Sequence, residues 1–286
     1  MSEPPSAIGA PGLPARGGAE VLPPPPPARG LTRARVTGIV LLGVWALVGI
    51  GTVLFLLASW NVELFTRYAP RYLSGLLVTV ELVAISVLAG AVLSVPIALG
   101  RRSKSRIIGV LAYTYVYFFR GTPLLAQTFL VYYGLGSLRP ELESVGLWWF
   151  FREAWYCAIF TFSLNTAAYQ AEILRGAIES VGRGQWEAAS ALGLSRLQTV
   201  YKIIIPQAAL VALRPYGNEI ILMIKGSAIV AIITVYDLMG ETRRAYSRTF
   251  DFQTYIWAAL IYLGIVEMLR MTIDRIERRL TRHLRR

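Results

Sequence analysis

Apolar residues run almost unbroken from Thr37 to Ala58, Tyr72 to Leu99, Ile107 to Leu135, Ala154 to Ala171, Ile203 to Val235 and Tyr255 to Met271. A helix needs roughly 20 apolar residues to cross a bilayer, so the pattern predicts an all-α, multi-pass transmembrane bundle of six spans. One polar interval stands apart. The stretch Ser180–Gln207 is too polar to cross a membrane and too patterned for an idle connection. Within it, Gln185–Leu192 favour helix between Gly184 and Gly193, and Gly193 suits the left-handed residue that ends a helix. Ser195 and Gln198 have capping-box spacing for a second helix. Pro206 is expected to break or kink the backbone where the chain returns to the membrane. The prediction is a compact helix–turn–helix knob, shaped to transmit force to a partner.

The fifth run carries Pro206, Pro215, Gly217 and Gly226, which predicts irregular backbone able to offer free carbonyls and amides inside the bundle. In the second run Gly75, Ala84, Ala89, Gly90 and Ala91 permit close helix approach. A subunit interface and an intrachain contact account for them equally. Residues 1–35 are rich in Pro, Gly and Ala, with Pro23–Pro27 suited to polyproline II, and read as a disordered cytoplasmic tail. Residues 36–60 follow as a transmembrane helix, too long for the apolar region of a signal peptide.

Composition adds to this picture. Hydrophobic residues make up 55% and charged residues only 16% of the chain, against about a quarter charged in soluble domains. The net charge of +12 sits in short clusters flanking apolar runs, above all Arg101, Arg102, Lys104 and Arg106 and the arginine-rich C-terminus. That is the distribution of cytoplasmic loops rather than of a nucleic-acid surface. The 101–106 and 172–202 loops and both termini are therefore assigned to the cytoplasm, and the loops around 59–71, 136–153 and 237–254 to the outside. Cys157 and His283 are the only residues of their types. An internal disulfide and a Cys/His metal centre are thereby excluded, and Ser–His or Cys–His catalysis is not expected. The chain has no phosphate-binding glycine loop of its own. No cofactor is implied, and the chain is not expected to be an enzyme.

Ionisable and polar groups inside apolar runs are the candidates for a solute path, because they are costly there without a function or a partner. They are Glu81, Asn165, Asn218, Glu219 and Lys225, with Thr122 and Ser227 beside backbone irregularities. Structural pairing is the competing explanation: Glu219 with Lys225 or Arg214, and Glu81 with a neighbouring helix. Arg120 and Glu172 are expected near opposite ends of their spans, Arg120 outside and Glu172 inside.

Several elements together resemble the permease subunits of ATP-binding-cassette importers. Glu187, Ala188, Ala189, Gly193, Ile205 and Pro206 resemble the signature of their coupling loop. Phe119-Arg120-Gly121-Thr122-Pro123-Leu124-Leu125 is similar to an element of the polar amino acid branch, as are Leu164 to Ile178 and the Asn218, Lys225, Ser227 segment. Gly226, where many relatives carry Asp, and Ala228 depart from that branch. The resemblance covers about residues 73–280. It implies a type I importer permease fold over 72–280 with a cytoplasmic coupling helix in the 180–207 loop. Gly184, Glu187, Ala188, Ala189, Gly193 and Pro206 would then dock a separate ATPase. It further implies a second permease subunit, identical or not, an extracytoplasmic solute-binding protein, and residence in the lipid of a bacterial inner membrane. Family cores have five spans, so the first helix and its leader are additions. The expected activity is uptake of a polar amino acid by alternating access. The segment from Asp237 through Phe252 resembles permeases for arginine, histidine and opines, which points to a basic solute. The alternative is an ion-coupled secondary transporter using Glu81 and Glu219 as relays.

Overall fold

The computed structural model describes residues 32–58 and 62–282. Most of the leader expected to be disordered, its polyproline stretch and His283 lie outside the described residues. The described chain is helical throughout, and its elements fall into two units, one up to Trp60 and one from Asn61.

The first unit contains a single described helix, α1 (Arg33–Ala58), apolar on every face and with no buried residue. A helix hydrophobic all round belongs in lipid or in the interior of an assembly.

The second unit begins with α2 (Val62–Arg101), 40 residues long and starting ten residues before the expected Tyr72. Its buried positions Tyr68, Tyr72, Gly75, Thr79, Leu82, Ser86, Gly90 and Ser94 recur every three or four residues and form one face. A basic turn then leads into α3 (Arg106–Gly121). The third apolar run is not one span, contrary to expectation. Thr122 and Pro123 are extended, and helix resumes as α4 (Leu124–Phe129) with a π-helical turn over Leu130–Gly134. Proline supplies no N–H and drives the preceding residue out of the helical region, so the break falls at Thr122. Two short helices follow, α5 (Arg139–Ser144) and α6 (Trp148–Phe151).

Helix α7 (Ala154–Ser180) is the hub, packing against α2, α3, α4, α6 and a later helix, α10 (Ile205–Ser227). It continues past Glu172, where a polar loop was expected. Four helical runs among the described residues are long and apolar enough to cross a membrane: Arg33–Ala58, Val62–Arg101, Arg196–Ile233 and Gln253–Leu280. α7 is long enough but too polar to join them. Thr161, Asn165, Thr166 and Gln170 face neighbouring helices and are buried, so this helix needs no fully apolar surface.

The 180–207 segment folds as α8 (Arg183–Ala191) and α9 (Arg196–Thr199). Gly184 lies inside α8 rather than before it. A π-helical turn over Val200–Ile204 absorbs the missing donor of Pro206, and the chain runs into α10 without a break. Pro215, Gly217 and Gly226 do not interrupt α10 either. The irregularity comes later, as a 3₁₀ turn over Ala228–Ile233 ending at a left-handed Thr234. The core cluster joins α2, α7, α10 and this turn through Leu82, Val83, Ala158, Phe162, Met223 and Ile233.

The expected outer loop 237–254 contains a helix, α11 (Leu238–Thr249), before the last helix, α12 (Gln253–Leu280). Asp237 caps α11, its Oδ1 accepting from Gly240 N at 2.8 Å, while the Tyr262 hydroxyl donates to Oδ2 at 3.4 Å. Leu238 N donates to Thr79 Oγ1 at 3.1 Å, which fastens α11 to α2. Asp237 lies beyond the apolar run that ends at Ile233 and is fully buried. Burial outweighs its hydrogen bonds and pushes its carboxyl up to about 6 from 3.8. The folded state therefore holds this proton more tightly than the unfolded chain. The resulting stability is complete below about pH 4 and is lost as pH rises through about 6. Two pKa units correspond to about 3 kcal/mol. Asp237→Asn keeps a capping oxygen and cannot titrate. Melting of the two proteins, compared between pH 4.5 and 7.5, should show a decline for the parent that the variant lacks.

Candidate functional site

Two regions carry the candidate residues, the 180–207 elbow and the polar interior around α7. In the elbow, Gly193 has φ +70°. Gly193 N donates to Ser190 O at 3.0 Å and Leu194 N to Ala189 O at 3.1 Å, the paired bonds of a Schellman motif. The capping box is formed: Gln198 N donates to Ser195 Oγ at 3.3 Å and Ser195 N to Gln198 Oε1 at 3.0 Å. Trp186 anchors the elbow on a small core of Ala177, Val181, Ile204, Ala208 and Ala212. Ala189 is buried, whereas Gly184, Glu187, Ala188, Gly193 and Pro206 are exposed. Beside them stand three residues that sequence reading did not single out. Leu192, Leu197 and Tyr201 are 76%, 68% and 65% exposed, although an alternation of Leu and Tyr across a short polar helix pair could have flagged them. A short, braced elbow that displays large apolar side chains has the character of a docking surface.

From this elbow α7 carries a charged ladder inward. Glu172 accepts from Arg101 Nε at 2.9 Å and from Arg175 Nη2 at 2.7 Å, and Arg175 Nη1 donates to Glu179 at 2.6 Å. The end of α2 is thereby tied to the segment of α7 next to the elbow.

Midway along α7 a polar network supports the broken helix. Gln127 Nε2 donates to Phe119 O at 2.9 Å, Thr122 O at 3.1 Å and Thr122 Oγ1 at 2.7 Å. Asn165 Nδ2 donates to Phe119 O at 3.0 Å and to Gln127 Oε1 at 2.9 Å. Carbonyls released where α3 stops are thus satisfied inside the bundle. Sequence reading did not single out Gln127, since a lone Gln in an apolar run carries no local signal of a nonlocal partner.

From the next residue of α7, Thr166 Oγ1 donates to Glu219 Oε1 at 2.8 Å, and Gln170 Nε2 donates to Thr166 Oγ1 at 3.1 Å. Glu219 is 5% exposed and pairs with neither Lys225 nor Arg214. Arg214 pairs instead with Glu277 on α12, at 2.7 Å. Ser227 Oγ donates to Ile224 O at 2.8 Å. Asn218 and Lys225 are exposed on one face of α10 together with Val211, Pro215 and Leu222. A Lys and an Asn displayed from a spanning helix are costly against lipid tails, so this face belongs toward protein or water. Pro215 offers no N–H to the carbonyl of Val211, which gives α10 a spare acceptor without an unwound segment.

Arg120 and Glu172 are not at opposite ends. Both line a cavity of about 400 Å³ between α3, α7 and α10, with Tyr169, Val211 and Pro215. At the end of the bundle remote from the elbow, Glu81 does not satisfy a neighbouring helix. It is exposed in a cavity of about 560 Å³ with Tyr132, Arg152, Glu153, Trp155 and Tyr236. The small residues of α2 divide. Gly75 and Gly90 serve intrachain contacts, against Asp237 and against α7, while Ala84 is exposed.

Comparison with known proteins follows this geometry. Residues 86–286 match the family described as the binding-protein-dependent transport system inner membrane component. The nopaline transport system permease protein NocM of Agrobacterium fabrum is 43% identical over 226 residues, 79% of this chain and 94% of its own length. The arginine ABC transporter permease protein ArtM of Escherichia coli is 34% identical over 213 residues, 74% and 96% of the two chains. The crystal structure of an amino acid ABC transporter with histidines superimposes with a TM-score of 0.68 at 34% identity, covering 77% of this chain and 99% of that one.

Proposed function

Because this chain belongs to the family of binding-protein-dependent transport system inner membrane components, we propose that it is the permease subunit of an ATP-driven importer of polar amino acids, basic ones or their opine derivatives in particular. The family places it in the inner membrane and implies an ATPase and a solute-binding protein as partners. Its relatives are transport permeases rather than enzymes. The observation that carries the reading is the braced elbow at 181–204, continuous with α7 on one side and α10 on the other. Closure of an ATPase against Glu187, Leu192 and Leu197 would move both helices, and with them the cavities they line.

In this reading a second permease subunit covers the α10 face that displays Asn218 and Lys225. Residues 72–280 form the transport unit, and 36–60 an additional anchor behind a cytoplasmic tail. Both termini and the elbow face the cytoplasm. Glu81, Asn218 and Lys225 line the solute path. Thr122, Asn165, Glu219 and Ser227 shape it by bracing the helices on either side. The ion-coupled alternative is not favoured, since the relatives are permeases of ABC systems.

Reconstitution tests the proposal. Vesicles containing this permease with its partner ATPase and binding protein should accumulate labelled arginine only when ATP is supplied. Vesicles with the permease alone should accumulate none under a proton or sodium gradient. Gradient-driven uptake by the chain alone would overturn the reading.

A further inference from the structure

Resting on that reading, we infer that Arg120 is the group that receives the carboxylate of the transported amino acid at mid-depth in the bundle. Its position follows from where α3 stops. The helix ends at Gly121 because Pro123 forbids its continuation. That end is fastened to Asn165, near the middle of the 27-residue α7. Arg120 is thus carried on a helix terminus level with the middle of α7, exposed on this chain, and its guanidinium lies 5.1 Å from the centre of the Tyr169 ring. Stacking on an aromatic face fixes the plane of a guanidinium while leaving its N–H edge open.

What Arg120 faces is a cavity of about 400 Å³ rather than an acid. Each neighbouring carboxylate has a closer partner, although Glu219 also feels the charge of Arg120. Glu172, on the same wall, is taken by Arg101 and Arg175, and Glu219 accepts from Thr166. Among the described residues Arg120 makes no ion pair within 4.0 Å. A guanidinium at this depth with no carboxylate in contact is expensive, and a transient anion that arrives with each transport cycle relieves that expense. The planar fork of Arg matches a carboxylate in two parallel hydrogen bonds. The spare carbonyl of Val211, on the same cavity, is the complementary acceptor for an ammonium group.

Every α-amino acid brings this carboxylate whatever its side chain, so Arg120 selects for the class and leaves side-chain choice to other groups. The test uses the permease–ATPase complex in nanodiscs without the binding protein, which would impose its own selectivity. Equilibrium binding of labelled L-arginine is compared with that of agmatine, which lacks the carboxylate. The wild-type complex should favour arginine by about 30-fold, the range of a charge-assisted bidentate pair. Arg120→Gln should abolish the preference by weakening arginine alone, and Arg120→Lys should retain part of it. Throughout, the ATPase should co-purify and hydrolyse ATP, which shows the permease assignment to be intact. A wild-type complex that treats the two ligands alike, or an Arg120→Gln complex that still prefers arginine, overturns the inference. So does Arg120→Gln separating two permease subunits, which would make Arg120 a bridge between them.

Discussion

A permease carrying Gly193→Val should reach the membrane in normal amount and yet take up almost no solute. Gly193 is held at φ +70° by the two bonds that close α8, and a β-branched residue there costs about 1–2 kcal/mol. A Cβ at this position meets nothing within 4 Å, so the variant does not collide with the bundle. The strain is relieved instead by reshaping the turn, which swings α9, and Leu197 with it, away from α8. A docking surface built on two short helices fails when their relative angle changes. Uptake should fall by at least about tenfold, the equivalent of 1.4 kcal/mol. Glu187→Lys should act without strain, since Glu187 is exposed on α8 and makes no ion pair within 4.0 Å among the described residues. At the centre of an interface such a reversal is worth about 2 kcal/mol or more. The measurement is ATP-driven uptake alongside co-purification of the ATPase and its hydrolysis rate. Wild-type uptake by both variants, with the ATPase still bound and coupled, would refute the elbow's role.

Gly90→Val is expected to remove the protein altogether. A Cβ on Gly90 would overlap Thr166 Cγ2 and stand 3.0 Å from Gln170 Nε2 and 3.2 Å from the backbone nitrogen of Ala167. The last of these is part of α7 itself and cannot turn aside. The α2–α7 pair is the most extensive helix contact in the fold, so α7 must shift away along much of its length. That shift would also disturb the bond from Gln170 to Val87 O and the seat of Glu219 on Thr166. Overpacking of a helix interface costs about 3 kcal/mol or more when backbone has to move. Gly109, on α3, where a Cβ would meet nothing within 4 Å, is the control. Gly109→Ala should be neutral or stabilising by a few tenths of a kcal/mol. Membrane yield and thermal aggregation in detergent measure the contrast, and a Gly90→Val protein with unchanged melting would show that α2 and α7 are not packed this closely.

The elbow was readable in the sequence because every device in it is local. Gly193, Ser195 and Gln198 act on residues at most five positions away, so spacing alone predicts the Schellman turn and the capping box. The apolar runs were equally legible, since hydrophobic length is a property of the segment. Boundaries were less so. α7 passes Glu172 because Arg101, from the far end of α2, joins Arg175 in neutralising that carboxylate, and no window around residue 172 contains Arg101.

What the chain decides by itself, then, is that it is an apolar helical bundle with a rigid polar elbow, because desolvation and short-range hydrogen bonding are written residue by residue. Pro123 also announces that some helix must stop near Thr122. Only the packed structure decides that this stop lies beside the middle of α7, with Gln127 and Asn165 supplying the donors that make it tolerable. The same packing sets Arg120 over Tyr169 and beside a cavity, and turns Gly90 from a generic small residue into the place where α2 touches the backbone of α7. These outcomes depend on groups that meet only after helices distant in the sequence have come together, and a buried polar group is stable or ruinous according to that meeting.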